Sequence, residues 1–92
     1  MSELRRSLTI VNKRGLHARA SAKFVGAVAA LPGAVQVRVA KDGHEAAGGS
    51  ILGLMMLGAA KGDQVELIVS GENASNVFAD LCAMIENGFG EE

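Results

Sequence analysis

The 92-residue chain has no Trp or Tyr, a single Cys, a single Pro and three Phe. One Cys cannot form an internal disulfide, and this cysteine usage is typical of a reducing compartment. With few aromatic residues and a net charge of −1, the chain has neither the stacking surface nor the basic field that nucleic-acid binding uses. We therefore expect no nucleic acid among its partners.

Long apolar segments and metal-binding patterns are also missing. The N-terminal stretch MSELRRSLTIV lacks the apolar core and cleavage site of a signal peptide, and no run approaches the roughly 20 apolar residues of a membrane span. No Cys, His or carboxylate cluster has metal-ligand spacing, and Gly48-Gly49-Ser50 lacks the lysine of a nucleotide-binding loop. We expect a cytoplasmic monomer with no membrane insertion, metal or cofactor.

The residues that are present are enough for one small domain spanning residues 1–92, since 49% of them are apolar. Ser7–Asn12 alternates between apolar and polar residues and predicts a strand. Ala18–Leu31 is Ala-rich with apolar residues at helical spacing, which predicts a helix, and Pro32-Gly33 ends it. Alternating valines then predict a second strand, with Val35, Val37 and Val39 on its buried face.

The remaining elements follow from turn and capping residues. Asp42-Gly43 predicts a hairpin turn with a short return strand over His44–Ala47. Residues 50–62 predict a short helix that is N-capped by Ser50 and ended by Gly58 or Gly62. Residues 64–71 predict a fourth strand, and residues 72–88 a last helical segment in which Gly88 is the C′ residue that ends the helix. The order βαββαβα favours a two-layer α+β sandwich.

His17 lies at the predicted junction between the first strand and the first helix. A helix N-terminus offers unpaired N–H groups and a partial positive charge, which favour an anion and a neutral imidazole. A phosphoryl group on that imidazole would meet these N–H groups, and Arg19 can donate to its oxygens. A His-x-Arg pattern alone is a weak signal, and by itself it favours a polar capping residue beside a solvated charge.

Two segments of the chain together resemble the HPr family, the histidine phosphocarriers of the phosphoenolpyruvate-dependent phosphotransferase system. In the segment GLHARAS, residues 15–19 match the family's active-site motif. In GGSILGLMMLGAAKGDQVEL (residues 48–67), its second motif is matched by Ser50-Ile51, Gly53, Met55, Leu57-Gly58 and Ala60-Lys61-Gly62. The resemblance covers essentially the whole chain. It implies an open-faced sandwich, in which three helices cover one face of a four-stranded antiparallel sheet.

The resemblance also implies roles for the residues. His17 would accept a phosphoryl group on Nδ1 from phosphorylated enzyme I and pass it to an enzyme IIA protein, while Arg19 would steady that group. The chain would then be a transiently phosphorylated component in sugar uptake or in a nitrogen-related regulatory branch, and not a stand-alone catalyst. The family usually has Pro directly after this Arg, where the chain has Ala20, and we expect function to survive that difference.

Ser50 has two compatible interpretations. Because Ser50 directly precedes an apolar helix, it is predicted to be the N-cap residue of that helix. In many family members the corresponding Ser is a regulatory phosphorylation site, so the resemblance implies an HPr kinase/phosphorylase as a further partner. A phosphate there would add about two negative charges beside a docking surface.

The helix over residues 51–57 is apolar on too many sides to be buried completely. We expect Leu54 and Leu57 to face inward, and Ile51, Leu52 and Met55 to form an exposed patch. Such a patch could be leftover apolar surface of a small domain or a docking site. The resemblance implies docking, on a surface that includes Ala18 and Ala20 of the first helix.

Two other functions remain compatible with the residues. The chain could be a non-catalytic regulatory or interaction module that acts through Ser50 or through the helix 51–57, although regulators of that kind usually lack the His that is present here. It could also be a small-ligand-binding domain, for which the sequence offers few pocket-lining polar groups. His44, after the hairpin turn, and Cys82, in the last helix, are expected to be a solvent residue and a core residue.

Overall fold

The computed structural model describes residues 3–31 and 34–91. It contains four strands, which are β1 (Glu3–Thr9), β2 (Val35–Lys41), β3 (His44–Ala47) and β4 (Gln64–Gly71). It also contains three helices, which are α1 (Ala18–Ala29), α2 (Ile51–Met56) and α3 (Ala74–Glu86), and a 3-10 turn at Gly88–Gly90. The predicted order is confirmed. Pro32 and Gly33, predicted to end α1, lie outside the described residues.

The strands form one antiparallel sheet in the order β1-β4-β2-β3. Alternate residues of each strand face the helices, and in β2 and β4 these residues are buried valines and leucines: Val37, Val39, Val65, Leu67 and Val69. The helices pack against this face and bury the core, because apolar residues on one face of a sheet need a second layer. The fold is therefore the open-faced α+β sandwich that was expected.

Strand β1 begins at Glu3 and ends at Thr9, so the predicted boundaries Ser7–Asn12 were wrong. Two of the charged residues at its start, Glu3 and Arg5, lie on the uncovered face of the sheet, where Arg5 bonds to Glu3 at 2.9 Å and to Glu66 at 3.0 Å. Charge is tolerated there because that face has no helix above it. The apolar alternation therefore marked only the second half of the strand.

The turns have the backbone angles that their residues predicted. Asp42 and Gly43 both have positive φ, +50° and +84°, as a two-residue hairpin turn requires. Gly58, at φ +67°, follows the end of α2, so Gly58 and not Gly62 ends that helix. Gly88, at φ +63°, directly follows the C-cap residue of α3, as predicted.

Helix α2 divides its apolar residues between the core and the surface as expected. Leu54 is fully buried and Leu57 packs partly against the core. Cys82 of α3 is also buried, and burial raises the pKa of its thiol. Within residues 3–31 and 34–91, no helix has the length and apolar character needed to cross a membrane.

Candidate functional site

His17 is the N-cap residue of α1, with extended backbone angles of φ −77° and ψ −178°. Its carbonyl oxygen accepts the N–H of Ser21 over 2.9 Å, while its imidazole makes no capping hydrogen bond. The first backbone N–H groups of a helix have no partner within the helix. The imidazole therefore stands at the positive end of α1, where the sequence predicted it.

The loop before His17 is held from two directions. The Nδ2 of Asn12, a residue that is only 2% exposed, donates to the carbonyl oxygen of Gly15 over 2.8 Å. Gly15 has φ +60°, and a Cβ on it would collide with the carbonyl oxygen of Ala59. Only glycine combines this backbone angle with so close a contact, so Gly15 fixes the approach of the loop to the segment after α2.

The imidazole lines a cleft of about 460 Å³ with a strongly basic wall. The other residues around it are Lys13, Arg14, Arg19, Lys23, Gly90 and Glu91. Four of these side chains are cationic, and one is a carboxylate. The structure thus brings together His17 and Arg19, the two site residues predicted from the sequence, and adds three further cationic side chains. A cleft with this charge favours a small anion.

Glu91 contacts His17 directly. Its Oε2 and Oε1 lie 2.9 and 3.0 Å from the Nε2 of His17, and Oε1 also accepts the Nδ2–H of Asn12 over 3.0 Å. The hydrogen bond from His17 is the main reason why the pKa of Glu91 is lowered, with a smaller contribution from Asn12. The sequence does not point to this residue, because Glu91 is 74 positions from His17 and no motif connects them.

The chain after α3 turns back toward α1 through three consecutive residues with positive φ, namely Gly88, Phe89 and Gly90 at +63°, +58° and +74°. Phe89 is only 3% exposed and anchors this turn in the core. The Nζ of Lys23 donates to the Phe89 carbonyl oxygen over 2.9 Å. The buried ring and this hydrogen bond together fix the turn, so that Glu91 lies in the cleft.

Ser50 caps α2, since its Oγ accepts the N–H of Gly53 over 2.9 Å. The predicted patch is present beside it, with Ile51, Leu52 and Met55 exposed by 41%, 68% and 40%. Met56 is 77% exposed as well and was not anticipated. Helices α1 and α2 pack against each other, so the patch lies on a helix that is adjacent to α1.

The two alanines predicted for the docking surface differ in exposure. Ala18 is exposed, but Ala20 is completely buried. A residue without exposed atoms cannot contact a partner, and this corrects the expectation for Ala20. Its methyl group packs in the core under the first turn of α1, which also explains why a small apolar residue fits there.

Other candidate chemistry lies outside this cleft. His44 is exposed in β3 and Cys82 is buried in α3, as expected for a solvent residue and a core residue. Among residues 3–31 and 34–91, no three His, Cys, Asp or Glu side chains are grouped so that they could hold a metal ion.

Comparisons with known proteins agree with the fold and with both motifs. The family model PTS-HPr, described as the PTS HPr component phosphorylation site, matches residues 4–87. The chain is 48% identical over 86 residues to the phosphocarrier protein HPr of Pseudomonas putida, covering 94% of each chain. It is 34% identical over 91 residues to the phosphocarrier protein NPr of Shewanella violacea, covering 99% of this chain and 98% of that one.

A solved structure shows the same architecture. The crystal structure of HPr-C-His from Thermoanaerobacter tengcongensis aligns with a TM-score of 0.86 at 37% identity, covering 100% of this chain and 99% of that chain. The similarity extends over both chains, so it includes the strand-to-helix junction at His17 as well as α2.

Proposed function

The chain belongs to the HPr family of phosphocarrier proteins, and on that basis we propose that it carries a phosphoryl group on the Nδ1 of His17. The observation that supports this residue most strongly is its position: an imidazole at the N-terminus of α1, in a cleft lined by four cationic side chains. The side chain is 23% exposed, which allows a donor protein to reach it.

In the proposed reaction, the lone pair of Nδ1 attacks the phosphorus of the donor's phosphohistidine. The bond between that phosphorus and the donor nitrogen breaks, and the donor nitrogen keeps the electron pair. A loose transition state needs mainly alignment and charge stabilisation. The first-turn N–H groups of α1 and the cations of the cleft supply positive potential at the transferred oxygens.

Arg19 is the proposed partner of the phosphoryl oxygens. It is exposed, it lies two residues after His17, and it lines the same cleft. A guanidinium donates two parallel hydrogen bonds to phosphate oxygens, which a lysine ammonium cannot do. Arg19 would therefore orient the phosphoryl group as well as neutralise it.

The HPr family implies enzyme I and enzyme II components of the phosphotransferase system as partners. We place their docking surface on Ala18 and on the apolar patch of α2, which consists of Ile51, Leu52 and Met55. The patch is exposed and adjoins the helix that begins at His17. Enzyme I would be the donor and an enzyme IIA protein the acceptor, each docking on a monomer of this chain in the cytoplasm.

Ser50 is the proposed regulatory site, for an HPr kinase/phosphorylase in a host that has one. Its hydroxyl is partly exposed and already lies at the N-terminus of α2. A phosphate on Ser50 would leave the helix intact, because helix N-termini favour anions, and its charge would repel acidic partners from the adjacent patch.

Relatives of the chain carry both the HPr and the NPr name, so sugar uptake and the nitrogen branch are both open for this carrier. Ala20 in place of the usual Pro and the single lysine of α1, Lys23, favour a regulatory carrier. Transfer of the phosphoryl group to purified enzyme IIA proteins of each class would identify the branch.

The proposal for His17 is tested by incubating the protein with labelled phosphoenolpyruvate and enzyme I. We expect one phosphoryl group per chain, labile in acid and stable in base. The label should be absent from His17→Ala and unchanged in His44→Ala, which removes the only other histidine. Label that persists in His17→Ala would contradict the proposal. Absence of label from the unmodified protein, with binding through α2 intact, would favour the non-catalytic interaction module.

A further inference from the structure

The contact between Glu91 and His17 distinguishes the two ring nitrogens. We propose that Glu91 is a positioning residue, which holds the proton of His17 on Nε2 and so leaves Nδ1 as the nitrogen that attacks the phosphoryl donor. Both carboxylate oxygens of Glu91 lie within 3.0 Å of Nε2. This role rests on the proposed function and deepens it, because it explains which nitrogen reacts.

The hydrogen-bonding capacity of the two groups decides which ring nitrogen carries the proton. A neutral imidazole has one N–H and one nitrogen with a free lone pair. An ionised carboxylate can only accept hydrogen bonds, so a carboxylate at Nε2 requires the N–H to be there. The lone pair is then on Nδ1, and the bond from Nε2 also fixes the orientation of the ring.

Glu91 is held in this position by contacts that do not involve His17. The Nδ2 of Asn12, itself 2% exposed, donates to Oε1 over 3.0 Å. The preceding turn is anchored by Phe89, which is 3% exposed, and by the bond from Lys23 to the Phe89 carbonyl. The Glu91 side chain is only 15% exposed. These contacts hold the carboxylate in the cleft independently of His17.

The surrounding charges give the carboxylate a second effect. The charged side chains around the ring are Lys13, Arg14, Arg19, Lys23 and Glu91, so Glu91 is the only anion lining the cleft among the residues described. When Nδ1 bonds to phosphorus and Nε2 keeps its proton, the ring gains positive charge. The carboxylate faces that charge, while the cations remain available for the phosphoryl oxygens.

A chemical phosphoryl donor tests this role without any partner protein. Phosphoramidate transfers its phosphoryl group to imidazole: a bond forms between a ring nitrogen and phosphorus, the bond between phosphorus and the donor nitrogen breaks, and ammonia leaves. The variant His44→Gln leaves His17 as the only histidine. NMR then distinguishes phosphorylation at Nδ1 from phosphorylation at Nε2 of that single ring.

In the His44→Gln background we expect reaction almost entirely at Nδ1. Adding Glu91→Ala frees Nε2, and the share of product phosphorylated at Nε2 should rise by about tenfold, the effect of losing one charge-assisted hydrogen bond. Adding Glu91→Gln should give an intermediate share, because its amide oxygen still accepts a hydrogen bond from Nε2–H but carries no charge. This isosteric variant also serves if Glu91→Ala alters the fold.

The matched control is Glu86→Gln, which removes a carboxylate that pairs with Arg6 and does not line the cleft. It should leave the product ratio unchanged. Equal product ratios in the parent protein, Glu91→Ala and Glu91→Gln would overturn the role of Glu91. Because no enzyme I is present, that result is distinguishable from failure of the proposed carrier function, which would appear as a lack of enzyme-dependent label on His17.

Discussion

The backbone N–H of Leu16 donates to the carbonyl oxygen of Ala59 over 3.0 Å. This bond connects the residue before His17 with the loop after α2, so the two motifs that carry the family resemblance are in direct contact. The same carbonyl oxygen faces the Cα of Gly15, where no Cβ can fit. Backbone contacts therefore set the distance between the imidazole and α2.

The first prediction concerns this contact. Gly15→Ala should lower the free energy of unfolding by about 2–4 kcal/mol, because it combines a left-handed alanine with a steric collision. Gly58→Ala is the matched control: Gly58 has a similar φ of +67°, but open space where its Cβ would lie, so it should cost only about 1 kcal/mol. Urea unfolding measures both. Equal losses would show that the Ala59 contact contributes nothing.

The second prediction concerns pH. The hydrogen bond from His17 lowers the pKa of Glu91, so replacing His17 by Ala should raise that pKa toward its usual range. Asn12→Ala should raise it less, because Asn12 is a smaller cause of the shift. Carboxyl carbon chemical shifts, followed by NMR from pH 2 to 7, measure the titration of Glu91 directly. An unchanged titration in His17→Ala would show that the two side chains do not interact in solution.

The same shift predicts the direction of a stability change. Because the pKa of Glu91 is lower in the folded than in the unfolded chain, folding favours the ionised carboxylate. Its contribution is present above the unfolded pKa and is lost as the pH falls through the folded pKa. In Glu91→Gln this part of the acid dependence of unfolding should be absent, whereas Glu86→Gln keeps it.

The fold was largely predictable because most elements carry strong local signals. Alternating valines marked β2, Asp42-Gly43 marked the hairpin, and Ser50 marked the start of α2, whose end was left open between Gly58 and Gly62. The start of β1 was not predictable from alternation. Glu3 and Arg5 lie on the open face, where Arg5 pairs with Glu66 of β4, and no local pattern shows which face of a strand remains uncovered.

The candidate site likewise contains residues that the sequence predicts and residues that it does not. His17 and Arg19 lie close together in a short motif, so the sequence alone could predict that both belong to the site. Glu91 and Asn12 act through contacts between segments that are 79 residues apart, and these contacts depend on how the chain turns after α3. The burial of Ala20 agrees with its helical spacing from Phe24, which is buried as well; the docking role that conflicts with it came from the family resemblance.

The third prediction separates the two roles of Ser50. Ser50→Ala should lower the free energy of unfolding by about 1 kcal/mol, because it removes the cap on α2. Ser50→Asp should keep the stability within about 0.5 kcal/mol, since Asp is also a good N-cap, while weakening binding to enzyme I. Calorimetric titration measures that binding. Gln36→Glu, on the open face of the sheet, adds the same charge and should not affect it.

The fourth prediction concerns the docking patch. Leu52 is 68% exposed, so Leu52→Glu should change the free energy of unfolding by no more than about 0.5 kcal/mol. Binding to enzyme I should nevertheless weaken by about tenfold, as expected for a central apolar contact. Gln36→Glu is again the control. Normal binding by Leu52→Glu would exclude this patch from the interface.

The central claim is that this chain receives and returns a phosphoryl group at His17. The most direct measurement is a single-turnover transfer, in which the protein is labelled by enzyme I and phosphoenolpyruvate, purified, and mixed with an enzyme IIA protein. We predict that label leaves His17 and appears on the acceptor in equal amount, and that His17→Ala transfers none. Label that stays on the chain with enzyme IIA proteins of both branches, or that reaches the acceptor through His17→Ala, would contradict the account.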